Sequence, residues 1–307
     1  MTKGPIKDVA RSVHQRLLNV ARQTGRPFND VVQQYADERW LYRLSKSPHG
    51  GRFVLKGALM LLVWDTPITR PTRDIDLLGR VSNDLESIRS QMAEVCRTPV
   101  EDDGLVFDAE SVTTERIAED ADYEGVRSKL RGHLGTNRIA MQIDIGFSDV
   151  ITPGPVRISY PTILDQPAAT LQAYNRETVV AEKFEAMVKL GELNSRMKDF
   201  FDIWLLARDF EFDGRVMAEA IRRTFERRGT PLEANPICFT DDFAAASSKA
   251  PQWSAFIRRG RLADAPTEFP EVVEHARVFL QPPVSALTET GEFDMRWSPG
   301  GPWQRLP

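Results

Sequence analysis

Cysteine, histidine and long apolar runs are scarce in this chain of 307 residues. Its two cysteines, Cys96 and Cys238, are far apart and match no metal-ligand spacing, which argues against a disulfide framework and a cysteine-based zinc site. The four histidines are scattered, so a histidine-based zinc centre or nucleophile has no support. No apolar run approaches the ~18 residues of a membrane span, and the amino terminus lacks an apolar leader, so a cytoplasmic protein without a membrane partner is expected.

Composition and charge are typical of an ordinary globular protein. Hydrophobic residues make up 41% and charged residues 27% of the chain, and its length allows one large domain or two small ones. The net charge of −4 argues against indiscriminate nucleic-acid binding but allows a local basic face. One candidate is the arginine cluster Arg222, Arg223, Arg227 and Arg228, whose side chains either contact a phosphate backbone or are simply solvated.

Two carboxylates alternate with apolar residues in one short segment. Asp74 and Asp76 enclose Ile75 and precede Leu77, and this two-residue period predicts a β-strand with both carboxylates on one face. Neighbouring carboxylates repel each other, whereas Mg²⁺ binds one or two carboxylates and completes its coordination with substrate phosphates. The segment therefore indicates a magnesium site. The alternative is that both carboxylates lie on the solvent-exposed face of an edge strand.

A glycine with a neighbouring lysine lies just upstream. Lys56 precedes Gly57, and a turn at this glycine can bring backbone N–H groups close to a triphosphate. A short helix-like run, residues 58–64, follows before the strand that carries Asp74. This order of turn, short helix and Asp-x-Asp strand is how nucleotidyltransferases related to DNA polymerase β begin.

Asp144 is the predicted third carboxylate of such a site. It lies among apolar residues in the run 138–147, a strand pattern that Gly146 can end. A buried charge is costly unless it is paired, bound to a metal or placed at the end of the strand. Metal ligation is the preferred interpretation, and a salt bridge at the strand end is the alternative.

Two helices in the second half of the chain carry further charged candidates. In the predicted helix 178–190, Lys183 lies away from most of the apolar stripe, and it is either a solvated lysine or a cation for the β- and γ-phosphates. The predicted helix 195–210 places Asp199 and Asp202 on one face. These acids either form local salt bridges, orient Lys183 or contact a substrate.

Taken together, these blocks resemble the AbiEii/MenT nucleotidyltransferase toxins of bacterial type IV toxin–antitoxin systems. The resemblance extends from about Phe53 to Phe210, and the order of the blocks makes it more specific than any single motif. The matching blocks are Phe53-Val-Leu-Lys56-Gly57-Ala58, Arg70-x-Thr72-Arg-Asp74-Ile-Asp76-Leu, Asp144-Ile-Gly-Phe-Ser-Asp149, Glu182-Lys183-x-x-Ala186 and Arg196-x-Lys198-Asp199-x-x-Asp202.

The resemblance implies a polymerase-β-like core that uses Mg²⁺, with two ions expected and Mn²⁺ as an alternative. Asp74, Asp76 and Asp144 would bind the metals, and Lys183 and Asp199 would complete the catalytic set. Related enzymes often have a small hydroxyl residue or a second glycine at the position of Ala58, so a hydroxyl contact to phosphate from this position is lost here. The residues implied in NTP binding are Lys56, Gly57, Ala58, Arg70, Thr72, Lys183 and Asp202.

The activity implied by the resemblance is transfer of a nucleotide from an NTP to an acceptor. Pyrimidine transfer to tRNA 3′ ends is known for some members, so an RNA acceptor, and a tRNA 3′ end in particular, is expected, with a block of translation and growth as the result. The family also implies a cognate antitoxin as a partner. The alternatives are an enzyme that nucleotidylates a protein, itself or a target, and a non-catalytic NTP-binding module of the same fold.

The predicted fold class is α+β, a nucleotidyltransferase core with a mixed sheet and flanking helices, followed by a helical C-terminal half. We expect a helical lead-in at residues 1–52, the catalytic core at 53–165, a helical domain that completes the active-site cleft at 166–281, and an irregular tail rich in proline and glycine at 282–307. Strands are predicted near Phe53 and Ile75 and in the runs 106–113, 126–131 and 139–145.

Overall fold

The computed structural model of this chain describes residues 8–66, 72, 74–120, 123–289 and 291–305. The chain divides into two compact units. The first, here called the sheet unit, comprises residues 1–65, 71–148 and 156–173. The second, here called the helical unit, comprises residues 66–70, 149–155 and 174–307.

A mixed β-sheet forms the centre of the sheet unit. Its seven strands are β1 (Phe53–Lys56), β2 (Asp74–Gly79), β3 (Leu105–Asp120), β4 (Tyr123–Leu134), β5 (Asn137–Gly146), β6 (Val156–Ser159) and β7 (Thr170–Ala173). They lie in the order β3-β4-β5-β2-β1-β7-β6. Strand β2 runs parallel to β5 and β1 runs parallel to β7, whereas the other neighbouring strands are antiparallel.

Helices cover the apolar face of this sheet. They are α1 (Val9–Thr24), α2 (Phe28–Lys46), α3 (Met60–Val63) and α4 (Leu85–Arg97). Because side chains alternate along a strand, Ile75 and Leu77 of β2 point away from the acids and are buried in one core with Ile143, Trp40 and Met92. The acids of β2 therefore project from the opposite face of the sheet.

Buried ion pairs fasten α2 to the loop before β3. Arg39 and Arg43 donate hydrogen bonds to Asp103 at 2.9 and 2.7 Å, and the Tyr35 hydroxyl donates to the Asp103 carbonyl oxygen at 2.8 Å. The three charged side chains are buried, and a buried charge is tolerated when it is paired and hydrogen-bonded in this way. The amino-terminal helices are thus an integral part of the sheet unit.

The helical unit packs its helices around aromatic side chains. Phe184 lies against Phe225 and Phe239, with ring centroids 5.2 and 5.4 Å apart. Its helices are α5 (Arg176–Leu190), α6 (Met197–Asp209), α7 (Gly214–Arg228), α8 (Asp241–Ala245), α9 (Lys249–Gly260) and α10 (Phe269–Glu289). Three short strands, β8 (Phe212–Asp213), β9 (Met295–Trp297) and β10 (Trp303–Arg305), pair antiparallel in a second sheet.

The prediction of an irregular tail from residue 282 is wrong. Helix α10 continues through Pro282 and Pro283 to Glu289, and β9 and β10 follow it. Trp297 and Trp303 explain why this segment is regular, because both are buried and their rings pack against Phe279 of α10. Burial of two tryptophans outweighs the local preference of proline and glycine for irregular structure.

The predicted fold class is confirmed, with a mixed sheet and flanking helices followed by a helical C-terminal half. The five strands predicted near Phe53 and Ile75 and in the three later runs are present as β1 to β5, whereas β6 to β10 were not predicted. In the described part of the chain, no helix has the length and apolar character needed to cross a membrane.

Candidate active site

One line of charged residues crosses the polar face of the sheet. Asp76 of β2 is the Cα partner of Lys56 in β1 and of Asp144 in β5. Residues paired in register project from the same side of a sheet, so Lys56 and both carboxylates share one face. Asp74, two residues before Asp76, lies on that face as well. The structure thus places three of the acids predicted from sequence on one face of the sheet, together with the predicted lysine.

The same line continues into the next two strands. Arg127 of β4 is the Cα partner of Asp144, and Glu115 of β3 is the partner of Arg127. The charges along the line are therefore positive, negative, negative, positive and negative. The two adjacent negative charges belong to Asp76 and Asp144, which concentrates negative potential where a cation would be expected.

Asp144 forms a bidentate ion pair with Arg127. The Arg127 Nε donates to Oδ1 at 2.9 Å and its Nη2 donates to Oδ2 at 2.8 Å. Gln142 Nε2 also donates to Oδ2, at 3.2 Å. Hydrogen bonding to Asp144 raises the pKa of Arg127. The salt bridge that sequence left open as an alternative for Asp144 is therefore present, and Arg127 is a site residue that sequence analysis missed.

Gly57 allows the turn after β1 to approach Asp76 closely. Its φ angle is 74°, in the left-handed region that favours glycine, and a Cβ atom placed on it would lie 2.0 Å from Asp76 Oδ2. Of the other predicted NTP-binding residues in this unit, Ala58 is buried and Thr72 is half-buried. Arg70 lies outside the described residues.

Gly57→Ala is expected to lower nucleotidyl transfer strongly, by about tenfold or more, because the new methyl group must displace the Asp76 carboxylate. The left-handed backbone adds about 1 kcal/mol of strain, so a modest loss of thermal stability is expected too. Steady-state rates and a thermal melt check both effects. Gly51→Ala is the matched control, since a Cβ there meets no atom within 4 Å. Wild-type rates for Gly57→Ala would show that the position of Asp76 does not matter.

A buried carboxyl group lies close enough to Asp74 to feel its charge. Asp37 of α2 is only 1% exposed and accepts a hydrogen bond from Gln33 Nε2 at 2.9 Å. Burial raises the pKa of Asp37 to about 8, and the negative charge of Asp74 acts in the same direction. Sequence analysis missed Asp37, because nothing in the α2 sequence shows which strand this helix covers.

Lys183 of the helical unit joins two helices through a pair of buried acids. Its Nζ lies 3.0 Å from Asp199 Oδ1 and 2.7 Å from Asp202 Oδ2, and the lysine side chain is 13% exposed. Arg196 lies 2.7 Å from the second oxygen of Asp199. Both aspartates are fully buried, so they need these cations. The geometry favours the interpretation in which the two acids orient Lys183, because each contacts its ammonium group directly.

Arg228 does not belong to an exposed basic face. Its guanidinium lies 2.9 Å from Asp149, 3.5 Å from Glu182 and 2.8 Å from Glu185, and its side chain is only 12% exposed. Neither of the two alternatives left open for this cluster, a phosphate contact or solvation, describes Arg228, because three acids surround it. Arg222 is also engaged, with Glu219 and Glu226 at 2.7 and 2.6 Å.

The sequence of this chain matches a known protein family over most of its length. The family described as nucleotidyl transferase AbiEii toxin, type IV TA system, matches residues 39–275. This chain belongs to the AbiEii toxin family. The family is one of nucleotidyltransferases, which confirms the predicted enzyme class and the resemblance drawn from the motifs.

Solved structures are similar to this AbiEii-family chain over most of its length and most of their own. MenT4, the nucleotidyltransferase toxin Rv2826c from Mycobacterium tuberculosis H37Rv, is 15% identical, with 88% of this chain and 94% of that chain covered and a TM-score of 0.48. JHP933 from Helicobacter pylori is 13% identical, with 84% and 93% covered and a TM-score of 0.45. A putative nucleotidyltransferase from H. pylori is 14% identical, with 94% and 100% covered and a TM-score of 0.44. No curated protein matches this chain significantly.

The oxygen ligands on the polar face of the sheet in this AbiEii-family enzyme are of the type that a hard cation prefers. Asp74 and Asp76 offer carboxylate oxygens, which Mg²⁺ prefers, and Asp144 lies in register beside Asp76. Within the described ranges, however, no three acidic, histidine or cysteine side chains are grouped to hold a metal. The ion pair with Arg127 engages both oxygens of Asp144. Because a carboxylate has about four lone-pair sites, a metal bound by Asp144 would share these oxygens with Arg127.

Proposed function

We propose that this enzyme transfers a nucleoside monophosphate from an NTP to a hydroxyl of an RNA acceptor, with a tRNA 3′ end as the preferred target. The observation that carries the proposal is the pairing of Asp76 with Lys56 on one side and Asp144 on the other. Nucleotidyl transfer needs carboxylates for divalent cations and positive charge for the triphosphate, and this face offers both. The expected outcome in the cell is a block of translation and growth.

Asp74 and Asp76 are the residues we assign to two Mg²⁺ ions, with Asp144 as a further ligand and Mn²⁺ as an alternative metal. When bound, such ions stabilise the entering and leaving oxygens of an in-line displacement. Lys56 is buried beside Asp76 and supplies positive charge at the same face. The Gly57 turn allows its backbone to approach a phosphate closely, because no side chain is present there.

Lys183 is assigned to the β- and γ-phosphates of the NTP. The ion pairs with Asp199 and Asp202 fix the direction of the long lysine side chain. Less conformational entropy is therefore lost when a phosphate binds. Asp199 is in turn paired with Arg196, so the lysine keeps a share of its positive charge for a ligand. In this assignment Asp199 and Asp202 are positioning residues for the lysine.

Arg127→Met is expected to lower the Mg²⁺ concentration needed for half-maximal activity. Arg127 competes with the metal for Asp144, and a partly exposed ion pair of this kind is worth about 1 kcal/mol, so a shift of roughly fivefold is expected. A Mg²⁺ titration of the transfer rate measures it. Lys129→Met is the matched control, since Lys129 lies two residues away on the same face but pairs with Glu115. An unchanged titration would remove Asp144 from the metal site.

The proposed reaction is tested by incubating the purified protein with Mg²⁺ and each labelled NTP, with and without total tRNA. We expect label in tRNA, from one NTP or a subset, and sensitivity of that label to removal of the 3′-terminal nucleotide. Label in the enzyme or in another protein but in no RNA would overturn the RNA assignment in favour of protein nucleotidylation. Binding of NTP without any transfer would leave a nucleotide-binding module.

A cognate antitoxin is the proposed protein partner, since the family consists of toxins of toxin–antitoxin systems. Co-expression of the gene next to this one is expected to relieve growth arrest caused by the wild-type enzyme. A variant without transfer activity should cause no arrest. Growth arrest by such a variant would separate toxicity from nucleotidyl transfer.

A further inference from the structure

An open groove of about 1000 Å³ lies within the sheet unit. Its lining begins at Asp74 and Gln142, beside the acids, and follows β5 back to Asn137. Residues of β3 and β4 and the first turns of α2 form the rest of its wall. This volume is at the upper end of the range for small-molecule sites, so an extended ligand that reaches Asp74 has room here.

The groove is rich in uncharged polar side chains. Four carboxamides line it, those of Asn29, Gln33, Asn137 and Gln142, and Ser111 adds a hydroxyl. A carboxamide both donates and accepts hydrogen bonds, which is the pattern on the edge of a nucleobase. Asn29 and Asn137 have side chains without a hydrogen-bond partner among the residues that the structure describes, so their amides are available to a ligand.

Charged side chains of both signs line the groove, with Lys129, Arg131 and Arg138 as the cations and Asp30, Asp74 and Glu110 as the acids. Lys129 pairs with Glu115 at 2.7 Å and Arg131 pairs with Asp108 at 3.1 Å. Arg138 is exposed and makes no ion pair within the described part of the chain. A duplex presents two dense phosphate backbones and needs an excess of cations, which this groove lacks. An unpaired strand presents its bases as well, and one available arginine suits one of its phosphates.

We propose that this groove binds the unpaired 3′-terminal nucleotides of the acceptor RNA, an inference that rests on the proposed function. The carboxamides of Asn29 and Asn137 contact base edges, Arg138 contacts a phosphate, and the terminal hydroxyl lies at the Asp74 end. Selection for a free single-stranded 3′ end follows from this arrangement, since the edges of paired bases are already occupied. The enzyme then distinguishes acceptors by the state of their last nucleotides.

The test compares two RNA hairpins of the same sequence, one with an unpaired 3′ overhang and one with a blunt end. The wild-type enzyme is expected to label the overhang RNA in strong preference to the blunt RNA. In the double variant Asn29→Ala with Arg138→Ala, both changed side chains are exposed, so the fold should be kept. We expect its KM for the overhang RNA to rise at least about tenfold with an unchanged KM for NTP, and its preference over the blunt RNA to disappear.

The matched control is the double variant Gln23→Ala with Arg157→Ala, which removes one exposed amide and one exposed arginine elsewhere in the sheet unit. It should behave as the wild type. If the wild type labels RNA but the groove variant equals this control, the groove assignment is wrong and the proposed function stands. Equal labelling of blunt and overhang RNA by the wild type would also overturn the groove assignment. If the wild type labels no RNA at all, the proposed function falls and this inference falls with it.

Discussion

Asp76→Asn is expected to abolish nucleotidyl transfer while the protein stays folded. Asp76 lies between Lys56 and Asp144 in the line of charges, so its carboxylate is the centre of the proposed metal and triphosphate face. Loss of a metal-binding carboxylate removes several kcal/mol of transition-state stabilisation, which corresponds to a rate loss on the order of a thousandfold. The change relieves repulsion with Asp144 but leaves the buried Lys56 with one negative neighbour fewer, so the two effects oppose each other and only a modest change in thermal stability is expected.

The measurement is a single-turnover rate together with a thermal melt. Asp74→Asn is expected to give the same pair of results, since both acids project from one face of β2. Glu115→Gln is the matched control, because Glu115 lies in the same line of charges but two strands beyond Asp144. Unfolding of Asp76→Asn would instead assign the carboxylate to structure, and near-normal transfer would remove it from the metal site.

Lys183→Met is expected to lose both transfer and stability. The change leaves Asp199 and Asp202 buried with one cation fewer, and breaking a buried ion pair costs about 3–5 kcal/mol. A loss of activity in this variant would therefore be ambiguous by itself. The double variant Lys183→Met with Asp202→Asn removes one charge of each sign, so much of the stability should return.

The rate of nucleotidyl transfer in these variants distinguishes a Lys183 that binds phosphate from one that only stabilises the fold. If the lysine binds phosphate, the double variant stays inactive and its affinity for NTP stays low, although it is folded. Asp202→Asn alone is the control, because it keeps the lysine and its contact with Asp199. Recovery of transfer in the double variant would show that Lys183 serves the fold only.

The sequence predicted the elements that local periodicity determines. The alternation around Ile75 and Ile143 identified β2 and β5, and it placed Asp74 and Asp76 on one face of β2. Helical spacing likewise put Asp199 and Asp202 on the side of α6 where both reach Lys183. In these cases the residues that determine the structure are only a few positions apart in the sequence, so local periodicity is enough to predict which side chains share a face.

Contacts between distant parts of the chain were not predictable in this way. Arg127 pairs with Asp144 only because β4 and β5 pair in one register, and no feature of the Arg127 segment indicates that register. Arg228 looked like one of four similar arginines, and its contacts with Asp149 and Glu185 come from the packing of the helical unit. Burial of Trp297 and Trp303 similarly overrode the composition of the last residues.

The parallel pairing of β2 with β5 limits how this gene can change in length. Loss or gain of a single codon within β2 would turn Asp74 or Asp76 toward the core and bring a leucine or isoleucine to the polar face. The buried carboxylate would then cost several kcal/mol as well as the activity. Frame-preserving insertions and deletions should therefore survive in the exposed and half-buried loop 80–84, which joins β2 to α4, and be purged from the two central strands.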